Sequence, residues 1–179
     1  SSGELAITQA EYTYLFYENT NMPLDSIMHD YYLDLDGTNW KYNDENGQIE
    51  LTNIESNYET GVVLGPFSTE EKKNNALEME IDFDKHESSS FTISYTTDFD
   101  SELLYSTEWS DLHSLNEESE DKIELELTDE ANVYIRLLAT GTDADEMNYW
   151  ILKNVNHTYV TTKHNLETSI DKHYFYTTE

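Results

Sequence analysis

The sequence predicts an all-β protein, a sandwich or a barrel, on three observations. Apolar residues recur at every second position, apolar spacing at three and four is scarce, and polar turns rich in Asn, Asp and Gly separate the runs. Near the N-terminus, Leu5 and Ile7, then Tyr12, Tyr14 and Phe16, alternate with polar residues and read as one or two strands. "WKYNDENGQIEL" reads as a hairpin, with Trp40 and Tyr42 on one arm and Ile49 and Leu51 on the other. Asn46-Gly47 supplies its positive-φ turn. "GVVLGPF" is a short strand that Gly65-Pro66 should close. "ALEMEIDF" sets Leu77, Met79, Ile81 and Phe83 on one face and Glu78, Glu80 and Asp82 on the other. "SFTISYTTD" does likewise with Phe91, Ile93 and Tyr95, "KIELELT" with Ile123, Leu125 and Leu127, and "NVYIRLLAT" with Val133, Ile135 and Leu137.

"NYWILKNV", residues 148–155, reads as a core strand and the turn after it. Either Trp150 and Leu152 or Tyr149 and Ile151 enter the core, and Asn154 serves the turn. "HTYVTT" and "HYFYTT" close the chain, giving about ten strands at the spacing of sandwiches and barrels. The one helical turn is expected between Ser68 and Asn74, where Ser68 or Thr69 can cap. Trp40 and Trp109 are expected in the core.

Composition narrows the function. The 179 residues suffice for one domain with a real core. With 13% aromatic residues and 14 Tyr, the chain is unlike a disordered acidic tail. A formal charge of −29 resists association unless salt or bound cations screen it, and it excludes nucleic acid as a partner, because phosphate binding needs a basic face. Without cysteine there are neither disulfides nor thiolate metal sites. No apolar run approaches the ~20 residues of a membrane span. A start at Ser1-Ser2-Gly3 is expected of a mature, secreted product after signal-peptide removal, or of a tag remnant. The chain has no Gly-x-Ser-x-Gly elbow and no phosphate-binding glycine loop, and its six His never fall at i, i+2 or i, i+4 spacing, so an enzyme is not expected.

The order of motifs resembles jelly-roll modules of the MAM and cleaved-adhesin type, found in cell-surface proteins. The matching stretches are Leu64-Gly65-Pro66-Phe67, Ala76 to Phe83, Ile93 to Asp98, Trp109, Val133 to Arg136, and Tyr149 to Val155, covering roughly residues 60–160. The resemblance implies a single jelly-roll β-sandwich of two antiparallel sheets over residues 31–179, with an additional N-terminal strand in residues 1–30. Lys153 stands where the family's closing strand carries an Asp that often helps a structural calcium site, a departure that counts against calcium at that position.

Three residue sets carry the functional expectations. Asp34-x-Asp36-Gly37, Asp98-x-Asp100 and Asp143-x-Asp145-Glu146 alternate carboxylates with backbone carbonyls in turns, as calcium ligands do, although the same residues also make good turns. Leu5, Ile7, Tyr12, Tyr14 and Phe16 lie outside the resemblance and form a strand that can add to a neighbour's sheet edge. Tyr31, Tyr32, Tyr58 and Tyr159 are candidates for stacking on sugar rings. The leading expectation is an extracellular structural or adhesive surface protein that assembles into a filament, tube or surface layer. Each copy would lend its N-terminal strand to the next, with calcium assisting the contacts. The alternative is a monomeric module of a larger adhesin that binds a cell-surface glycan or protein, with its terminal strands paired within its own sandwich.

Overall fold

A computed structural model describes residues 12–34, 40–51, 58–83, 89–116, 118–127, 132–141 and 149–165. Their strands are β1 Tyr12–Asn21, β2 Met28–Asp34, β3 Lys41–Asn43, β4 Gln48–Leu51, β5 Tyr58–Phe67, β6 Lys73–Phe83, β7 Ser89–Thr96, β8 Ser110–Leu115, β9 Lys122–Glu126, β10 Val133–Gly141 and β11 Trp150–Asn165. A helical turn, α1 (Leu24–Ile27), follows β1 and buries Leu24 and Ile27 in the core, and a 3-10 helix (Ser101–Ser106) lies between β7 and β8. The strands pair antiparallel in two sheets. One runs β3-β4-β11-β6-β9 with β1 also on β11, and the other runs β2-β5-β10-β7-β8. The protein is an all-β sandwich, as its alternation and its resemblance imply.

Alternation decides which face enters the core. Leu77, Met79, Ile81 and Phe83 of β6 face Phe91 and Ile93 of β7 and Val133, Ile135, Leu137 and Ala139 of β10 across the inter-sheet space. Removing side chains of this size from water stabilises by about 1.5–3 kcal/mol each. The centre is aromatic. Trp150 stacks on Phe83 (centroids 4.9 Å apart, planes 10° apart) and on Phe91 (4.7 Å, 30°), and Trp40 meets Phe91 edge-on at 5.8 Å. Phe83 and Trp150 belong to one sheet and Phe91 to the other, so this stack is the seam between them. The hairpin is as expected, with Gly47 at φ 72° between β3 and β4.

The course of the backbone differs from the sequence reading in three places. First, "NYWILKNV" does not end in a turn. Trp150 and Leu152 enter the core, and the strand continues for 16 residues, absorbing "HTYVTT". Two register shifts against β6, between Leu152 and Asn154 and between Thr158 and Val160, break the alternation. Each bulge turns two successive side chains outward, Lys153 with Asn154 and Thr158 with Tyr159, while Val155, His157 and Val160 return to the core.

Second, residues 68–74 form a reversal rather than a helical turn. The Asn75 Nδ2 group donates to the carbonyls of Lys72 (2.8 Å) and Thr69 (3.4 Å), and Glu71 and Asn74 take φ of 59° and 53°. Third, Gly65-Pro66 does not close β5, which runs on to Phe67 through a register shift opposite Val133 and Ile135.

Glycine is required at position 65. Its φ is +134°, and a Cβ there would lie 2.9 Å from the Val133 carbonyl oxygen, a backbone atom with little room to retreat. Gly65→Ala is therefore expected to lower stability by about 1–3 kcal/mol. A urea titration reads this as an earlier midpoint at an unchanged slope, and an unmoved midpoint would mean that β5 relaxes freely.

β1 is the sixth strand of its sheet and, among the described residues, pairs with β11 alone. β6 occupies one edge of β11, while the other edge takes β4 at Trp150–Leu152 and β1 at Asn156–Asn165. Between them the Met22 N–H donates to the Val155 carbonyl at 2.8 Å. Beyond Val160, β11 pairs with β1 alone among the described residues.

Candidate functional site

The outward residues of the six-stranded sheet are polar because the inward ones fill the core. Along β6 these are Glu78, Glu80 and Asp82, along β9 Lys122, Glu124 and Glu126, and along β11 Lys153, Asn154 and Asn156. A groove of ≈ 580 Å³ opens on this face, lined by Asn21 at the end of β1 and Met22 and Pro23 after it, by Tyr42, Asn46 and Gln48 of the hairpin, and by Glu80, Lys153 and Asn154. A second hollow of ≈ 340 Å³ shares Glu80 and Asn154 with it and reaches Glu78, Asn156, Lys122 and Glu124. The two make one trough crossing β4, β11, β6 and β9, about 14 Å from first strand to last at sheet spacing.

The bulge at Lys153 creates the floor. Regular alternation would send one of Lys153 and Asn154 inward, and the bulge sends both into the groove. The hairpin wall is held rigid. Asn46 Nδ2 donates to Glu50 Oε1 (3.0 Å), Asn46 Oδ1 accepts from the Gln48 N–H (3.0 Å), and the Gly47 N–H donates to the Asn43 carbonyl (2.8 Å). Tyr42, half-buried, packs against the core at the rim. Lys153 Nζ lies 3.5 Å from Asp82 Oδ2, an exposed ion pair of little energetic weight. The side-chain amides of Asn21, Gln48, Asn154 and Asn156 make no hydrogen bond among the described residues, so donors and acceptors are open along the trough.

The other sheet's outer face is covered at one end by its own chain. The segment between β7 and β8 folds back, placing Phe99 4.9 Å from Tyr134 and 5.3 Å from His29. Trp109 lies under the Arg136 guanidinium, 5.0 Å from ring centroid to Cζ. Trp109 is thus outside the inter-sheet core where the sequence reading put it, since Arg136 is an outward residue of β10. Ser94 Oγ donates to Asp111 Oδ1 at 2.8 Å beside it. Desolvation by burial lowers the Arg136 pKa, while Asp111 and Glu59 raise it. Arg136 is the chain's single arginine and is spent on closing this face.

The residues named from sequence fall as follows. Tyr58 is 2% exposed, because alternation along β5 puts it inward with Thr60, Val62 and Leu64. Its ring lies over Gly141, where a Cβ would come within 2.3 Å of Cε1. It is a core residue and not a stacking platform. Tyr159 is half-buried, with Lys72 Nζ 4.3 Å from its ring centroid and the His157 ring at 4.8 Å. Tyr31 and Tyr32 belong to β2, but their side chains lie outside the described residues.

Asp98 and Asp100 are exposed at the end of β7, where Asp100 Oδ1 accepts from the Glu102 N–H at 2.9 Å. Asp34 ends β2, with its side chain outside the described residues, and Asp36, Asp143, Asp145 and Glu146 lie wholly outside them. Among the described residues no group of three or more His, Asp or Glu is placed to hold a metal ion. Leu5 and Ile7 lie outside the described residues. Tyr12, Tyr14 and Phe16 pair with Asn165, Lys163 and Thr161 of the same chain. Sequence reasoning misses the groove because it gives Asn154 to a turn and sees in Glu80 only the face of its strand opposite the core residues.

Fold and groove define an all-β sandwich module with an open polar trough on one sheet. Among solved structures it is similar to the K3 cleaved adhesin domain of Lys-gingipain from Porphyromonas gingivalis, with a TM-score of 0.52 at 10% identity over 80% of this chain and 99% of that one. The K2 cleaved adhesin domain of Lys-gingipain matches with a TM-score of 0.50 at 8% identity, over 78% and 99%. The resemblance read from the residues holds as a shared fold, a cleaved-adhesin-like β-sandwich. No protein-family model matches the chain, and no curated protein resembles it in sequence. Among the described residues, no helix is long and apolar enough to cross a membrane.

Proposed function

We propose that the chain is a non-catalytic binding module of an extracellular, cell-surface protein, and that the trough on its six-stranded sheet takes a neutral glycan chain. The carrying observation is the lining: open amides at Asn21, Gln48, Asn154 and Asn156, a half-buried tyrosine at the rim, and charges of both signs. Hydroxyl groups both donate and accept, and amides and carboxylates meet them on both terms. Glu78, Glu80 and Glu124 in the trough and a net charge of −29 disfavour an anionic ligand. The length of the trough suits several linked rings rather than one. The fold shared with cleaved adhesin domains supports a binding role on a cell surface. The pairing of β1 within its own chain suits a self-contained module better than a donated strand.

Affinity electrophoresis through gels containing soluble neutral polysaccharides tests this. Retardation by at least one neutral polysaccharide is expected, with Asn154→Ala and Tyr42→Ala each weakening binding about tenfold, or about 1.4 kcal/mol. Absence of retardation by every neutral polysaccharide, with binding to uronate polymers instead, would sink the reading.

A further inference from the structure

The trough does not end where it reaches β9. A third hollow, of ≈ 550 Å³, shares Glu124 with it and runs on along β6 and β9 to the reversal at residues 68–74, past Ala76, Glu126, Lys73 and Asn74. Alternation along β6 makes its floor. The outward positions of that strand are Ala76, Glu78, Glu80 and Asp82, and all but the first carry a carboxylate. Ala76 carries only a methyl group. Glu126 stands opposite it on β9 and Thr158 on β11, so the sheet keeps a depression where a longer side chain would stand. The end wall is fixed. Asn75 Nδ2 ties the reversal through the Thr69 and Lys72 carbonyls, and Lys72 Nζ donates to the Ser68 carbonyl at 2.9 Å while lying over the Tyr159 ring. The side chains of Lys73, Asn74 and Glu126 are exposed and make no hydrogen bond or ion pair among the described residues. They surround the small floor with an ammonium donor, an amide that donates and accepts, and a carboxylate acceptor, a set that suits hydroxyl groups. Two lysines and two glutamates line the hollow, so it selects neither an anion nor a cation.

We propose that this hollow seats a side branch of the glycan, so that the ligand is a branched neutral polysaccharide, which rests on the reading of the trough as a glycan site. Direction separates branch from backbone. The trough crosses the strands, from β4 to β9, whereas the hollow runs along them. From Glu78 to Asn74 it covers about 13 Å at the rise of a β-strand. The two directions meet near a right angle over the facing pair Glu78 and Glu124. An unbranched chain lying across the sheet leaves the hollow empty. A chain with a short substituent on the ring above Glu124 fills both, and its backbone stays straight. Lys73, Asn74 and Glu126 then read the branch, while Asn154, Asn156 and Gln48 read the backbone.

Affinity electrophoresis of the full chain in galactomannans and arabinoxylans, each at high and at low side-chain content, tests this. Binding to the densely branched form of at least one pair is expected to be tighter by about tenfold. Ala76→Gln fills the depression from its floor and leaves the trough residues in place. It should bring the densely branched form down to the level of the sparsely branched one, with binding to the latter unchanged. Lys73→Ala adds no bulk and removes one donor, and should weaken binding to the densely branched form alone by about fivefold. Equal binding to both forms of every pair, or equal losses on both forms in the two variants, overturns the side branch and leaves the trough reading standing. Absence of binding to any neutral polysaccharide overturns both.

Discussion

Lowering the pH from 7 to 4 is expected to remove about 3 kcal/mol of stability through His157 alone. The side chain is 4% exposed at the centre of β11, edge-on to Phe67 at 6.1 Å. Asn75 uses its Nδ2 group on two carbonyls, which leaves its Oδ1 to accept from His157 Nε2 at 3.2 Å. The imidazole is therefore held as the neutral Nε2–H tautomer. Burial, and secondarily the positive charge of Lys72, lower its pKa from 6.5 to about 4. The folded state thus binds this proton less tightly than the unfolded chain. The stability contributed by neutral His157 is complete above about pH 6.5, declines as pH falls toward 4, and changes no further once both states are protonated. A shift of about 2.5 units corresponds to roughly 3 kcal/mol.

Protonation of carboxylates relieves repulsion in the same range and acts in the opposite direction, so the measurement is a difference. Urea midpoints of the protein and of His157→Gln, which keeps a donor for Asn75, should converge or cross between pH 7 and pH 4. Parallel pH profiles for the two proteins would show that His157 does not titrate against the fold.

How much of this was legible in the sequence depends on whether period two was unbroken. β6 reads directly, because Leu77, Met79, Ile81 and Phe83 never leave one face. β9 and β10 read equally well, and so does the hairpin, because Asn46-Gly47 has one obvious conformation. β11 did not read as one strand. Its two bulges shift the inward set from Trp150 and Leu152 to Val155 and His157 and then to Val160, so a period-two search sees three fragments. The groove was hidden for the same reason. Lys153 and Asn154 side by side look like a turn in sequence, and only the bulge turns both onto one face. Tyr58 was misjudged because an aromatic residue at the start of a strand looks the same whether it meets solvent or a glycine. The partner that makes room for it, Gly141, lies more than eighty residues away.

Replacing Trp150 tests the centre of the same strand. Trp150→Ala is expected to cost about 3–5 kcal/mol, since it empties the slot between Phe83 and Phe91 and removes the ring that stacks across the two sheets. Trp150→Phe should cost far less, about 1 kcal/mol. It keeps a ring between the two phenyl groups, and it removes an indole N–H that is buried without an acceptor among the described residues and itself costs stability. The comparison separates stacking from polar anchoring, and it is read from urea midpoints together with near-ultraviolet circular dichroism. If both variants lose the same amount, the energy resides in the indole's polar end, and an acceptor must reach it. If Trp150→Phe retains most of the stability, the seam is held by ring-on-ring contact, and the alternation that brings Trp150 and Leu152 inward positions the trough above them.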